Sequence, residues 1–330
     1  MRVSTLDYHT AGEPLRIVTG GLPEIPGDTL LARRRYMKSE LDHYRGFLML
    51  EPRGHADMYG AVLTPPVSPD GDVGVLFLHN EGYSTMCGHG IIAMVTAGLE
   101  HGLFQVDDPD AIRIDTPAGR ITASARRDPS GHVASVSFRN VPSFVLHEDH
   151  AVEVEGRSIA CTIAYGGVFY AYVDAASCGF ELIPAEAPGL IRLGQQIKEV
   201  INRQNVICHP EGSEDLNYLY GTIFVRDYAK PGHSRNVCIF AAGELDRSPT
   251  GTGVSGRAAI QYSRGQLGLG DTLNIESIIG TAFQVRCVEE VKVCDRQAVI
   301  PEVSGSAHVT GEHTFILDER DPLHAGFLVR

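Results

Sequence analysis

The sequence predicts an α+β fold made of two halves with related topology, on three observations. Short runs rich in β-branched and aromatic residues alternate with period two along the chain, among them RVSTLDYH, GAVLT, VGVLFLH, RITASAR, VASVSFR, VFYAYVD, YLYGTIFV, FQVRCV and HTFILD. Helical spacing appears in only four stretches, about residues 27–44, 88–102, 191–205 and 252–265. Strands therefore outnumber helices, which does not suit a doubly wound sheet, where the two alternate. The third observation is an internal repeat: VLFLHNEGYSTMCGHGIIAMVTAGLEHGL and VCIFAAGELDRSPTGTGVSGRAAIQYSRGQLGL share an apolar strand, a polar connector, a small polar side chain, G-x-G and then a helix. Cys87 aligns with Thr250, Gly88 with Gly251, His89 with Thr252 and Gly90 with Gly253. This layout suggests two related halves facing each other, with Gly119 in TPAGRITASA as the crossover. The first half then covers 1–122, with about 309–330 returning to it, and the second covers 123–308.

A length of 330 residues leaves room for two domains with a core each. The formal charge of -13 argues against a nucleic acid or an anionic membrane surface as partner. The one basic run, Arg33 to Arg35, lies in a segment that alternates apolar and charged residues at helical spacing, so it reads as a solvated helix face. MRVSTLDYHTAGEPLRIV lacks the basic and apolar regions of a signal peptide, and no apolar run approaches the ~18 residues of a membrane span, so a soluble cytoplasmic protein is expected. The seven cysteines are scattered with no C-x-x-C pair, which fits free thiols better than disulfides or a zinc site. Most sit in strand-like alternation and read as small buried hydrophobes. His147 and His150 in LHEDH could ligate a metal, but read more simply as part of a solvated loop.

A helix that starts at a Gly-x-Gly turn presents unsatisfied backbone N–H groups and the positive end of its dipole, which suits an anion. Two such termini could hold one small carboxylate. With Gly256, the second loop also spells G-x-G-x-x-G, the usual form of a dinucleotide-binding turn. However, DRSP separates the strand from the glycines, whereas a dinucleotide loop follows its strand directly. Cys87 falls in the first turn of its helix, where the dipole favours thiolate, and so becomes a candidate base. Beside a bound α-amino acid it could remove the Cα proton while the helix termini stabilise the charge on the carboxylate. That chemistry needs no metal and no cofactor.

MCGHG, DRSPTGTG, DYHTAGEPLRIV, LEPRGHADMYGAV, HNEGY and DPLHAGF together resemble the proline racemase family over essentially the whole chain. The resemblance implies the fold shared with diaminopimelate epimerase, two α+β halves each wrapping a sheet around a central helix, with the site in the cleft between them. In the racemases and epimerases of that family two cysteines flank Cα. Here the first is Cys87, but the second position is Thr250, whose hydroxyl is too weak an acid to trade protons as a thiol does.

A Cys and Thr pairing resembles the branch that dehydrates trans-3-hydroxy-L-proline to Δ1-pyrroline-2-carboxylate; a proline or 4-hydroxyproline racemase or epimerase is the alternative. In that substrate the hydroxyl lies on the same ring face as the Cα hydrogen. One acid/base there, the Cys87 sulfur or His89 beside it, could serve both ends. By comparison with the family, Gly88, His89, Gly251 and Thr252 should contact the substrate, Asp246 should pair with its ring ammonium, and Tyr59 and Phe240 should line the pocket. The expected partner is a small amino acid, and the sequence leaves room for a homodimer.

Overall fold

The structure, a computed structural model, describes residues 1–211, 214–228 and 232–329. The chain divides into two compact units, Met1–Phe138 with Ser306–Arg330, and Arg139–Gly305. In the first unit, β1 (Arg2–Thr10) and β2 (Glu13–Gly20) are followed by α1 (Leu30–Glu40) and α2 (Asp42–Met49). Next come β3 (Tyr59–Thr64), β4 (Val73–His79), β5 (Tyr83–Ser84) and α3 (Gly88–His101). Strands β6 (Ile112–Thr116), β7 (Gly119–Arg127) and β8 (Val133–Arg139) follow, and the chain's last strand, β18 (Ala307–Ile316), returns to pair antiparallel with β1.

Every residue of β4 is buried, in keeping with the apolar run VGVLFL that precedes His79. Leu76 and Leu78 of β4 join Leu30, Met37, Phe47 and Leu48 of α1 and α2 in one core. On the other side, α3 packs on β1, β2, β3, β7 and β18. Its residues 88–98 are all buried. A helix buried all round has to be the centre of its unit rather than an amphipathic cover.

The second unit opens with β9 (Phe144–Val154), β10 (Arg157–Tyr165) and β11 (Phe169–Asp174), then α4 (Ala187–Gln204). It continues with β12 (Leu219–Asp227), β13 (His233–Phe240), β14 (Glu244–Leu245) and α5 (Gly251–Ser263). Strands β15 (Thr272–Glu276), β16 (Ala282–Val293) and β17 (Arg296–Gly305) complete it. Here α5 is the buried helix, packed on β9, β10, β11, β13, β16 and β17, while α4 covers β12 and β13.

The repeat read from the two loops extends through the pairing pattern. In the first unit β2–β3 is parallel, β3–β4 antiparallel, β4–β5 antiparallel, β4–β6 parallel and β6–β7 antiparallel. In the second, β11–β12, β12–β13, β13–β14, β13–β15 and β15–β16 follow the same sequence of directions.

Some expectations need correction. Gly119 is not a crossover: with φ +132 it starts β7 and pairs with Thr116 in a tight hairpin inside the first unit. A boundary at 122 would cut that strand, and the chain passes into the second unit after Phe138 instead. LHEDH is not a loop but part of β9, bulged at Asp149, whose φ is +48. His147 and His150 in it bond Val206 O and Gln204 Oε1. Among the described residues, no group of three or more His, Cys, Asp or Glu could hold a metal ion. Of Arg33 to Arg35 only Arg35 is exposed, since Arg33 reaches Gly27 O and Arg34 reaches Tyr83 O.

Candidate active site

In the first unit the candidate site residues lie at the N-terminus of α3. Cys87 is its N-cap, in an extended conformation (φ -147, ψ 108), and its Sγ accepts from Gly90 N at 3.3 Å. The imidazole of His89 lies against the sulfur, with Nδ1 3.3 Å and Nε2 3.7 Å from Sγ. Both side chains are buried, at 4% exposure each. The turn is pinned from β1, where Thr10 Oγ1 donates to His89 O at 2.9 Å. Gly90 is needed for space: a Cβ there would sit 2.6 Å from Phe77 Cε1 and 2.9 Å from the Cys87 sulfur. Tyr59 is packed against the catalytic histidine candidate, its ring edge-on to His89 at 4.9 Å and stacked on His79 at 5.6 Å. Its hydroxyl donates to Ser84 Oγ at 2.6 Å.

The cysteines differ sharply. All seven are free thiols. Burial pushes Cys161 and Cys287 up to about 12, which makes them inert near neutral pH. Cys208 and Cys294 are exposed and Cys178 is half-buried, so the expectation of a buried thiol holds only for Cys161, Cys238 and Cys287 beside Cys87. Only Cys87 combines a helix N-terminus with an imidazole in contact.

The equivalent element of the second unit is the N-terminus of α5, where the device has been changed. Thr250 is the N-cap but has φ +70 and ψ 99, a strained conformation for a β-branched residue, and its hydroxyl makes no capping bond. Instead Thr250 Oγ1 donates to Asp246 Oδ2 at 2.8 Å. Asp246 Oδ1 accepts from Ser248 N at 2.7 Å, and Ser248 Oγ accepts from Thr250 N at 3.1 Å. Asp246 is 3% exposed, so it is neither a surface charge nor a cap of α5. Among the described residues it has no cationic partner, an arrangement that leaves a buried carboxylate in want of one.

Behind this turn, Tyr170 and Tyr172 project from β11 onto α5. The Tyr170 hydroxyl is hydrogen-bonded to Thr252 Oγ1 at 2.9 Å, and Tyr172 OH donates to Gly253 O at 2.7 Å. Gly256 is the glycine that completes the dinucleotide-like spelling, but its role is packing: a Cβ there would lie 2.2 Å from Tyr172 OH. Phe240 ends β13, buried, with its ring 5.5 Å from that of Tyr220, which in turn lies 5.9 Å from Tyr170.

The structure thus brings Cys87, Gly88, His89 and Tyr59 together in the first unit. In the second it groups Asp246, Thr250, Gly251 and Thr252, with Phe240 linked to Thr252 through Tyr220 and Tyr170. Sequence reasoning missed Ser248, Tyr170 and Tyr172. The signal for the tyrosines was present in VFYAYVD, where two phenols at i and i+2 share one strand face and each buried hydroxyl must find a partner.

The proline racemase family model matches residues 5–328. The chain belongs to the proline racemase family. A trans-3-hydroxy-L-proline dehydratase from Burkholderia ambifaria is 50% identical over 99% of this chain and 98% of its own length. A 3-hydroxyproline 2-epimerase from Burkholderia multivorans is 49% identical with the same coverage. The crystal structure of a hydroxyproline epimerase from Agrobacterium vitis with bound trans-4-hydroxy-L-proline superposes with a TM-score of 0.91 at 33% identity, covering 99% of this chain and 96% of that one. The family's α+β fold, each unit built around a buried helix, is the one expected from the motifs. Among the described residues, no helix is long and apolar enough to cross a membrane.

Proposed function

We propose that this protein dehydrates trans-3-hydroxy-L-proline to Δ1-pyrroline-2-carboxylate without a cofactor. Relatives of nearly equal identity carry the names of a dehydratase and an epimerase, so overall similarity does not choose between the two activities. The observation that carries the choice is Thr250, an alcohol tied to Asp246 at the position paired with Cys87 in the repeat.

In this reading the backbone N–H groups of Gly88, His89, Gly251 and Thr252 receive the substrate carboxylate, and Asp246 pairs with the ring ammonium. Cys87 thiolate takes the Cα proton, and the electron pair left on Cα is stabilised through the carboxylate. That pair then forms the Cα–Cβ double bond as the C3–O bond breaks. The proton for the departing hydroxyl comes from the Cys87 thiol or from His89, which touches the sulfur; water leaves and the enamine tautomerises to the cyclic imine. Thr250 offers no proton to the opposite face, so Cα is not returned inverted. Seven free thiols suit a reducing, cytoplasmic compartment.

The test is incubation of the protein and its Cys87→Ser variant with trans-3-hydroxy-L-proline, trans-4-hydroxy-L-proline and L-proline, following cyclic imine and optical rotation. Imine from the first substrate alone, lost by at least about 10²-fold in the variant, is expected. Change of optical rotation with the other two, without imine, would select the racemase or epimerase reading.

A further inference from the structure

Resting on that reading, we propose that Thr250 determines specificity as a hydrogen-bond acceptor: its Oγ1 receives one of the two N–H groups of the substrate's ring ammonium while Asp246 receives the other. A hydroxyl has one proton to donate and lone pairs that accept. The Thr250 proton is committed to Asp246 Oδ2 at 2.8 Å, because a carboxylate only accepts. Among the described residues nothing donates to Oγ1, although Thr250 is only 5% exposed.

The turn therefore presents two adjacent buried acceptors, one of them negative and lacking a cation. An anion is disfavoured at these two oxygens themselves, so the substrate carboxylate is left to the backbone N–H groups of Gly251 and Thr252. A pyrrolidinium nitrogen is its complement, since it carries one positive charge and two N–H bonds. The strained φ of +70 supports the assignment, because an ordinary N-cap conformation would turn the hydroxyl toward the helix's own N–H groups, as Cys87 does at α3. Ser248 holds the arrangement from behind by bonding both the Thr250 N–H and, through its own N–H, Asp246.

L-Proline lacks the 3-hydroxyl and so isolates recognition of the nitrogen, and N-methyl-L-proline keeps the charge but offers a single N–H. Dissociation constants for both are measured with the wild-type protein, Thr250→Ser and Thr250→Val. A hydrogen bond to a charged group corresponds to about tenfold or more in affinity. The wild-type protein should bind N-methyl-L-proline at least about tenfold more weakly than L-proline. Thr250→Val should bring L-proline down to about that level, and Thr250→Ser should stay within about threefold of wild type. The assignment is overturned if N-methyl-L-proline binds the wild-type protein as tightly as L-proline, if Thr250→Val leaves L-proline binding within about threefold, or if Thr250→Ser loses as much as Thr250→Val. Failure of the wild-type protein to bind L-proline and trans-3-hydroxy-L-proline alike would instead sink the functional reading, and the assignment with it.

Discussion

The N-termini of α3 and α5 occupy equivalent places in two units with the same order of strand pairings, yet they treat their first side chain in opposite ways. At α3 the backbone is relaxed, and the Cys87 sulfur accepts from Gly90 N while touching an imidazole. At α5 the backbone is strained and the Thr250 hydroxyl turns away from the helix to donate to Asp246. In each loop the second glycine makes room for the N-cap: a Cβ on Gly253 would meet Ile223 Cδ1 at 2.5 Å and Thr250 Cβ at 3.1 Å, much as one on Gly90 would meet Phe77 and Cys87. The duplicated scaffold preserves the glycines and the helix-terminal N–H groups, which suit an anion, while the N-cap residue differs between the two termini. In the proposed reading, one terminus takes a proton and the other receives a nitrogen.

Erasing the difference should have the largest effect. Thr250→Cys puts a thiol at the second terminus, with an ordinary pKa near 8.5 and therefore able to exchange protons. It should raise racemisation of L-proline above the wild-type level, and cut imine formation from trans-3-hydroxy-L-proline by about tenfold or more. Polarimetry and an imine assay on the same samples check both. A smaller effect is expected at Tyr170, whose hydroxyl meets Thr252 in a fully buried setting. Tyr170→Phe removes only that bond, worth roughly 1 kcal/mol, so KM for trans-3-hydroxy-L-proline should rise by about threefold to tenfold with kcat little changed. A fall in kcat alone would show that Tyr170 acts on the chemistry rather than on the anchoring of Thr252.

Much of this was legible in the sequence. The helix read over 88–102 is α3 at Gly88–His101, and that over 252–265 is α5 at Gly251–Ser263, because G-x-G marks where a buried helix begins. VGVLFLH and VASVSFR match β4 and β8 residue for residue. Strands β9, β10 and β17 were not anticipated. In β9 the acidic, bulged centre at Glu148 and Asp149 interrupts the alternation, and Pro301 inside β17 reads as an interruption because proline removes a ladder donor.

At the site, the sequence pointed to Cys87, His89, Asp246 and Thr250 but not to the bond between the last two. An acid and an alcohol four positions apart reveal nothing about a hydroxyl's direction until a positive φ fixes it. Ser248 was silent for the same reason, since its part depends on the turn that it helps to close.

The most direct test of the division of labour is to incubate the protein with trans-3-hydroxy-L-proline in deuterium oxide and analyse the remaining substrate at partial conversion. If Cys87 is the base and Thr250 supplies no acid, as proposed, Δ1-pyrroline-2-carboxylate should accumulate while the recovered 3-hydroxyproline keeps its configuration. Accumulation of cis-3-hydroxy-D-proline carrying deuterium at Cα would contradict this reading, because inversion requires a second proton donor, on the face opposite the base.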